Sequence, residues 1–137
     1  MKQKIIEDVR LDKIVGGGQA LATLENGKKA FVWGGLPGEM VSIRVTKKKS
    51  KLLEAVVRTG TQARGSRVAP RDAESFLSTS PWQIMTFEDE QGYKADLIQE
   101  AFALHSVTLP GELEVYTDGV EYGYRNKVEF SWWGSVD

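Results

Sequence analysis

The residues best suited to do chemistry are cationic. Lys47-Lys48-Lys49-Ser50-Lys51 puts four ammonium groups within five positions, between two segments that alternate apolar and polar residues. Val41, Ile43 and Val45 alternate with Ser42, Arg44 and Thr46 on one side; Leu53, Ala55 and Val57 alternate with Glu54 and Arg58 on the other. A period of two predicts paired strands, so the lysines occupy a hairpin tip and Arg44 and Arg58 point outward beside it. Lys28 and Lys29 fall on a neighbouring hairpin. A cationic cluster of this size suits phosphate groups, and such contacts carry affinity without reading base sequence. The bland alternative is a solvated surface.

The charge distribution sharpens that reading. The net charge of the 137 residues is -1, but residues 1–71 carry 15 of the 18 Lys and Arg against 6 acids, a local +9. Residues 72–137 carry the other 3 against 13 acids, or -10. The split predicts a basic domain over 1–70 that faces a polyanion, and an acidic segment over 71–137. No stretch approaches the roughly 18 apolar residues that span a bilayer, and the start lacks an apolar run of signal-peptide length, so a cytoplasmic protein with no membrane contact is expected. With no cysteine, thiolate metal sites, iron-sulfur clusters, disulfides and a cysteine nucleophile are excluded for these residues. His105 is the single histidine; it could be a ligand or an acid-base group, and a structural role is favoured because it has no second histidine or cysteine to work with.

The elements that must position these groups are short. Five strands are expected at about 4–13, 19–25, 28–34, 39–47 and 51–58, the pattern of a small all-β barrel. Ile6, Leu11 and Val15 give the first a weak alternation. Gly16-Gly17-Gly18 suits a bend or the close approach of another chain segment, not a phosphate loop, because no Lys-Ser or Lys-Thr and no helix follow. Asn26-Gly27 predicts a type I′ hairpin. Ala30 and Val32 fall on one face of the next strand and Phe31 and Trp33 on the other, so one pair is core and an outward aromatic packs or stacks on a base. Leu36-Pro37-Gly38-Glu39 predicts a further turn.

In the second half, Thr86-Phe87-Glu88-Asp89 predicts a capped helix over about 87–105. Leu97, Ile98, Ala101, Phe102 and His105 form its buried stripe, and Leu109-Pro110-Gly111 ends it. Strands are expected at 112–117 and 122–133 about an Asp118-Gly119 turn, with Arg125 and Lys127 on one face. Trp132-Trp133 faces both ways, so more chain or another subunit is expected to cover it.

Gly16-Gly17-Gly18-Gln19-Ala20, Ala30-Phe31-Val32, Gly35-Leu36-Pro37-Gly38-Glu39 and the stretch from Val41 to Arg58 together resemble the TRAM domain. The rest resembles the RNA uracil-5-methyltransferases that carry this barrel at their front: Gly123-Tyr124-Arg125-Asn126-Lys127-Val128-Glu129-Phe130 matches the strand opening their central domain, and Pro81-Trp82-Gln83 with Glu90-Gln91 matches the start of their helix. The resemblance implies a mainly β fold, α+β overall: an N-terminal five-stranded oligonucleotide-binding-like (TRAM) barrel followed by a helix and a β-hairpin of an incomplete second domain. It implies RNA, rRNA or tRNA, as partner. Leu77 and Ser80 stand near positions where cluster-binding members have cysteines, so no iron-sulfur cluster is expected. S-adenosyl-L-methionine is implied for the full-length family but for no residue of this chain, which lacks the methyl-donor loop and catalytic cysteine.

Two functions therefore stand. In the first, the chain is a substrate-recruiting RNA-binding segment of a uracil-C5 methyltransferase, not catalytic alone, using Lys28, Lys29, Arg44, Lys47, Lys48, Lys49, Lys51 and Arg58. The resemblance adds Arg125 and Lys127; pairing of Arg125 with Glu114 or Glu121 is the equal alternative. In the second, it is a free-standing TRAM-type RNA-binding or interaction module whose acidic half folds back over the basic half.

Overall fold

The computed structural model describes residues 4–60, 67–127 and 129. Its strands are β1 (Ile5–Arg10), β2 (Lys13–Ile14), β3 (Ala20–Thr23), β4 (Lys29–Trp33), β5 (Met40–Lys48) and β6 (Leu52–Gly60). They form one sheet in the order β1-β5-β6-β4-β3-β2, antiparallel except for the parallel β4–β6 pair. The two edges, β1 and β2, are consecutive stretches of chain separated by only Leu11-Asp12, so the sheet closes on itself. This is the five-strand barrel read from the sequence, with the first strand sharply bent. At the bend, Leu11 N–H donates to Glu39 O and Asp12 N–H to Leu21 O, one on each side of the seam.

Two details of the strands differ from the alternation. A bulge between Ile6 and Val9, with Asp8 at φ 55°, resets the phase, so Val9, Leu11 and Ile14 are buried instead of Ile6 and Val15. The Asn-Gly hairpin is not type I′. Only Gly27 has positive φ, at 80°; Gly27 N–H donates to Leu24 O and Leu24 N–H to Lys28 O, which is a three-residue loop ending in a left-handed glycine. The Asn26 side chain accepts from Lys28 N–H, which favours this loop.

Inside the barrel lie Val9, Leu11, Ile14, Ala20, Ala22, Ala30, Val32, Val41, Ile43, Leu53 and Ala55. Small residues on β3 and β4 let the sheet curl tightly around the larger Leu11 and Ile43. Ala30 and Val32 are the core pair of β4, which leaves Phe31 and Trp33 outward.

Beyond the barrel come a short helix α1 (Phe76–Thr79), a 3-10 turn at Pro81–Ile84 and helix α2 (Phe87–Leu104). Thr86 caps α2 as expected, its hydroxyl accepting from Asp89 N–H at 3.2 Å, with Glu88, Asp89 and Glu90 at the positive end. The stripe is not buried: no residue of α2 is, Tyr93 and Leu97 rest half-covered on the barrel core, and Ile98 and Phe102 are exposed. Nor does Pro110-Gly111 end the helix. Ser106 at φ 58° does, with Val107 N–H reaching Phe102 O and Ser106 N–H reaching Ala103 O. His105 is the exposed C-cap residue.

The strand expected at 112–117 does not form, and the described part of 122–133 contains none. Alternation alone does not make a strand: Glu112 to Thr117 finds no ladder partner among the described residues, and most of its side chains stay in solvent. The Asp118-Gly119 turn does form, with Gly119 at φ 83° and the Asp118 carboxylate accepting from Val120 N–H. Trp132 and Trp133 lie outside the described residues.

Candidate nucleic-acid interface

Lys47, Lys48, Lys49 and Lys51 are all exposed at the tip of the β5–β6 hairpin, which Lys49 N–H closes by donating to Leu52 O. Thr46 is bulged out of register there, and its hydroxyl donates to Glu54 O. The parallel β4–β6 pairing sets Lys29 beside Leu52, so Lys28 and Lys29 lie against the lysine tip, as the sequence suggested. Lys29 Nζ donates to Thr23 Oγ1 at 2.7 Å, which steadies one of the ammonium groups. No acid among the described residues forms a salt bridge with the four tip lysines. Among the described residues the acidic half therefore forms no ion pair with the tip, and the ion pair it makes with the barrel surface is Lys13 with Glu100 at 3.3 Å.

The arginines are placed differently. Arg44 is half-buried opposite Val56, and Arg58 sits at a bulge two residues further along β6. Seven residues at ~3.3 Å each separate Arg58 from Lys51, about 23 Å, so Arg58 stands apart from the tip, whereas Arg44 lies only three residues, about 10 Å, from Lys47 along β5. Lys127 pairs with Glu129 at 3.0 Å in open solvent. Arg125 makes no ion pair with Glu114 or Glu121 among the described residues. It lines a groove with Trp33, the opposite end of β4 from the lysines. Since no strand forms at 125–127, the expected shared face of Arg125 and Lys127 is absent.

Two features that the sequence reading missed hold the site in place. Glu39, only 2% exposed, accepts from Arg67 Nε at 2.6 Å, Arg67 Nη2 at 2.7 Å and Leu36 N–H at 2.6 Å. Arg67 also donates to Gly34 O, and its backbone bridges to Met85. One arginine from the basic half is thus a part-buried fastener, its guanidinium engaged by the buried Glu39. The signal was present: Glu39 has the same parity as inward Val41 and Ile43. The second feature is Trp82, whose indole N–H donates to Gly18 O at 2.8 Å. A Cβ at Gly18 would lie 3.2 Å from that nitrogen, and φ there is 93°, so the triple glycine serves close approach of another segment. Trp82 in turn meets the Tyr93 ring at 6.3 Å between centroids. Burial, with Asp89 and Asp96 adding to it, raises the Tyr93 phenol above its ordinary 10.0.

A closed five-strand barrel with a parallel third and fifth strand, presenting lysines on the loop between its last two strands, is an oligonucleotide-binding-type fold. Residues 6–57 match the TRAM domain model, and this part of the chain is a TRAM domain. Over 132 residues, or 95% of the chain, it is 29% identical to an uncharacterized RNA methyltransferase of Thermotoga maritima. It is 32% identical over 111 residues, 80% of the chain, to the 23S rRNA (uracil(1939)-C(5))-methyltransferase RlmD of Halomonas elongata. An uncharacterized RNA methyltransferase of Nitratidesulfovibrio vulgaris is 27% identical over 128 residues, 90% of the chain. The aligned part is 30%, 23% and 27% of these relatives, so the chain spans about a quarter of their length.

Proposed function

We propose that the chain is the RNA-binding, substrate-recruiting segment of an RNA uracil-C5 methyltransferase acting on ribosomal RNA in the cytoplasm. The observation that carries this is the lysine hairpin: four exposed ammonium groups, joined by Lys28 and Lys29 across the β4–β6 pair and unneutralised by any described acid, on a TRAM domain. The name of the Halomonas relative supports rRNA and uracil C5 as the target. In this reading the chain supplies docking and leaves chemistry to other parts of the protein. S-adenosyl-L-methionine, implied for the full-length family, would in this reading be held by other parts of the protein. Methyl transfer is therefore not routed through any residue described above.

Phosphate contact makes a quantitative expectation. Four to six neutralised phosphates give a slope of log affinity against log salt of roughly -3 to -4 for a single strand. Fluorescence anisotropy of a labelled single-stranded RNA should show that slope with the intact chain. Changing Lys47, Lys48, Lys49 and Lys51 together to Ala should remove most of the affinity and flatten the slope. Equal binding by both proteins, or none by either, would discard the docking role.

A further inference from the structure

An open groove of about 820 Å³ lies where the barrel meets the second half. Trp33 and the Gly17-Gly18 backbone form its barrel side; Trp82, Tyr122, Tyr124 and Arg125 form the other. These aromatic rings come from parts of the chain about ninety positions apart, and Trp33 stands beside Trp82 over Gly18. Trp33 is only partly covered, and Tyr124 is 65% exposed. Tyr122 is held from one side, where the Arg71 guanidinium sits 3.8 Å over its ring centroid. Glu90 and Glu121 also line the groove; Glu90 is engaged by Lys94 at 3.3 Å, and Glu121 offers an acceptor.

We propose that this groove is a subsite for an unpaired nucleotide of single-stranded RNA, its base stacked on Trp33 and the facing tyrosines and its phosphate met by Arg125. The inference rests on the docking role above and adds a second contact point to it. Aromatic faces with a lone guanidinium are what an unstacked base and its phosphate need, whatever the base identity. The geometry of β4 connects the two points. Lys29, Phe31 and Trp33 share its outward face, so an aromatic step lies between the lysine tip and the groove, about 13 Å apart at ~3.3 Å per residue. A strand whose phosphates rest on the lysines therefore passes Phe31 on its way to Trp33. Glu121 suits the N–H donors of a base edge, which keeps a carboxylate compatible with the ligand.

The test uses the intact chain and a short single-stranded RNA carrying one 2-aminopurine, whose emission falls when it stacks on an aromatic ring. The expected result is quenching on titration. It should be lost, with roughly fivefold or greater weakening of binding and an unchanged salt slope, in Trp33→Ala and in the double variant Tyr122→Ala, Tyr124→Ala. The double variant removes exposed rings, so it reports even where Trp33→Ala disturbs the barrel. Binding without quenching, or quenching that survives both sets of changes, overturns the groove while leaving the lysine docking intact. Absence of any binding by the intact chain overturns both.

Discussion

The barrel and the segment that follows it are built on opposite principles. In the barrel, every strand has two neighbours once β1 and β2 are joined at their bend, and eleven apolar residues fill the interior. In the segment from Arg67 onward, the longest element, α2, buries no residue, and 112–127 forms no ladder. Order there is borrowed through a few fasteners: Glu39 with Arg67, Gly18 with Trp82, and Leu36 packed with Ile84 and Met85. The contrast teaches that charge segregation and structural autonomy coincide in this chain. The basic half fills its own closed core and presents its lysines, while the described part of the acidic half is tied to the barrel by those fasteners.

Breaking the strongest fastener should show this most plainly. Glu39→Ala strands the Arg67 guanidinium and the Leu36 N–H, and should cost about 3–5 kcal/mol in a urea melt, the usual penalty for removing one partner of a buried pair. Protection of Val68 and Met85 amides against hydrogen exchange should fall in the same variant. If Val68 and Met85 kept full protection, the second half would have its own source of order.

A smaller effect should strike the barrel alone. A Cβ at Gly35 would lie 2.1 Å from Leu11 Cδ1, so Gly35→Ala should force repacking and lower stability by about 1–3 kcal/mol. Denaturation followed by near-ultraviolet circular dichroism would register it; an unchanged midpoint would mean the core yields more easily than its packing suggests. Thr86→Ala, in contrast, addresses only α2. Loss of its cap should cost roughly 1 kcal/mol of helix stability, seen as earlier loss of the 222 nm signal with the barrel transition unmoved. Coincident transitions would show that the two regions unfold as one.

The smallest expected effect is alkaline. Because the folded chain holds the Tyr93 proton above pH 10.0, where the unfolded chain releases it, this contribution to stability is whole below pH 10.0. It is lost as pH rises from there through the folded value. Tyr93→Phe should flatten that decline in stability measured between pH 9 and 11, about the ordinary phenol value. An identical alkaline profile in both proteins would mean that Tyr93 is not desolvated by its seat between Trp82 and the barrel.

Much of the barrel was legible because its determinants are local. Alternation on either side of Lys47 to Lys51, the Pro37-Gly38 turn and the opposite faces of Ala30-Val32 and Phe31-Trp33 all read correctly, since a strand's period and a turn's φ demands act within a few residues; which of those two pairs is core was decided by the closed sheet. The Asn26-Gly27 loop read correctly as a hairpin and wrongly in type, because the turn's length depends on which cross-strand pair closes it. The bulges at Asp8, Thr46 and Arg58 left no local mark, and they decide which side chains face inward.

What the sequence by itself determined is the set of barrel strands, the cationic hairpin, the cap of α2 and the opposition of charge between halves. Tertiary structure alone decided that Arg67 is spent on Glu39, that the α2 stripe stays open, and that Trp33 meets Trp82 and Arg125 at one groove. The physical reason is range. Backbone preference and alternation act over a few residues, whereas each of these outcomes joins segments from about 30 to more than 90 positions apart or depends on a partner surface, and only a closed sheet brings such segments together.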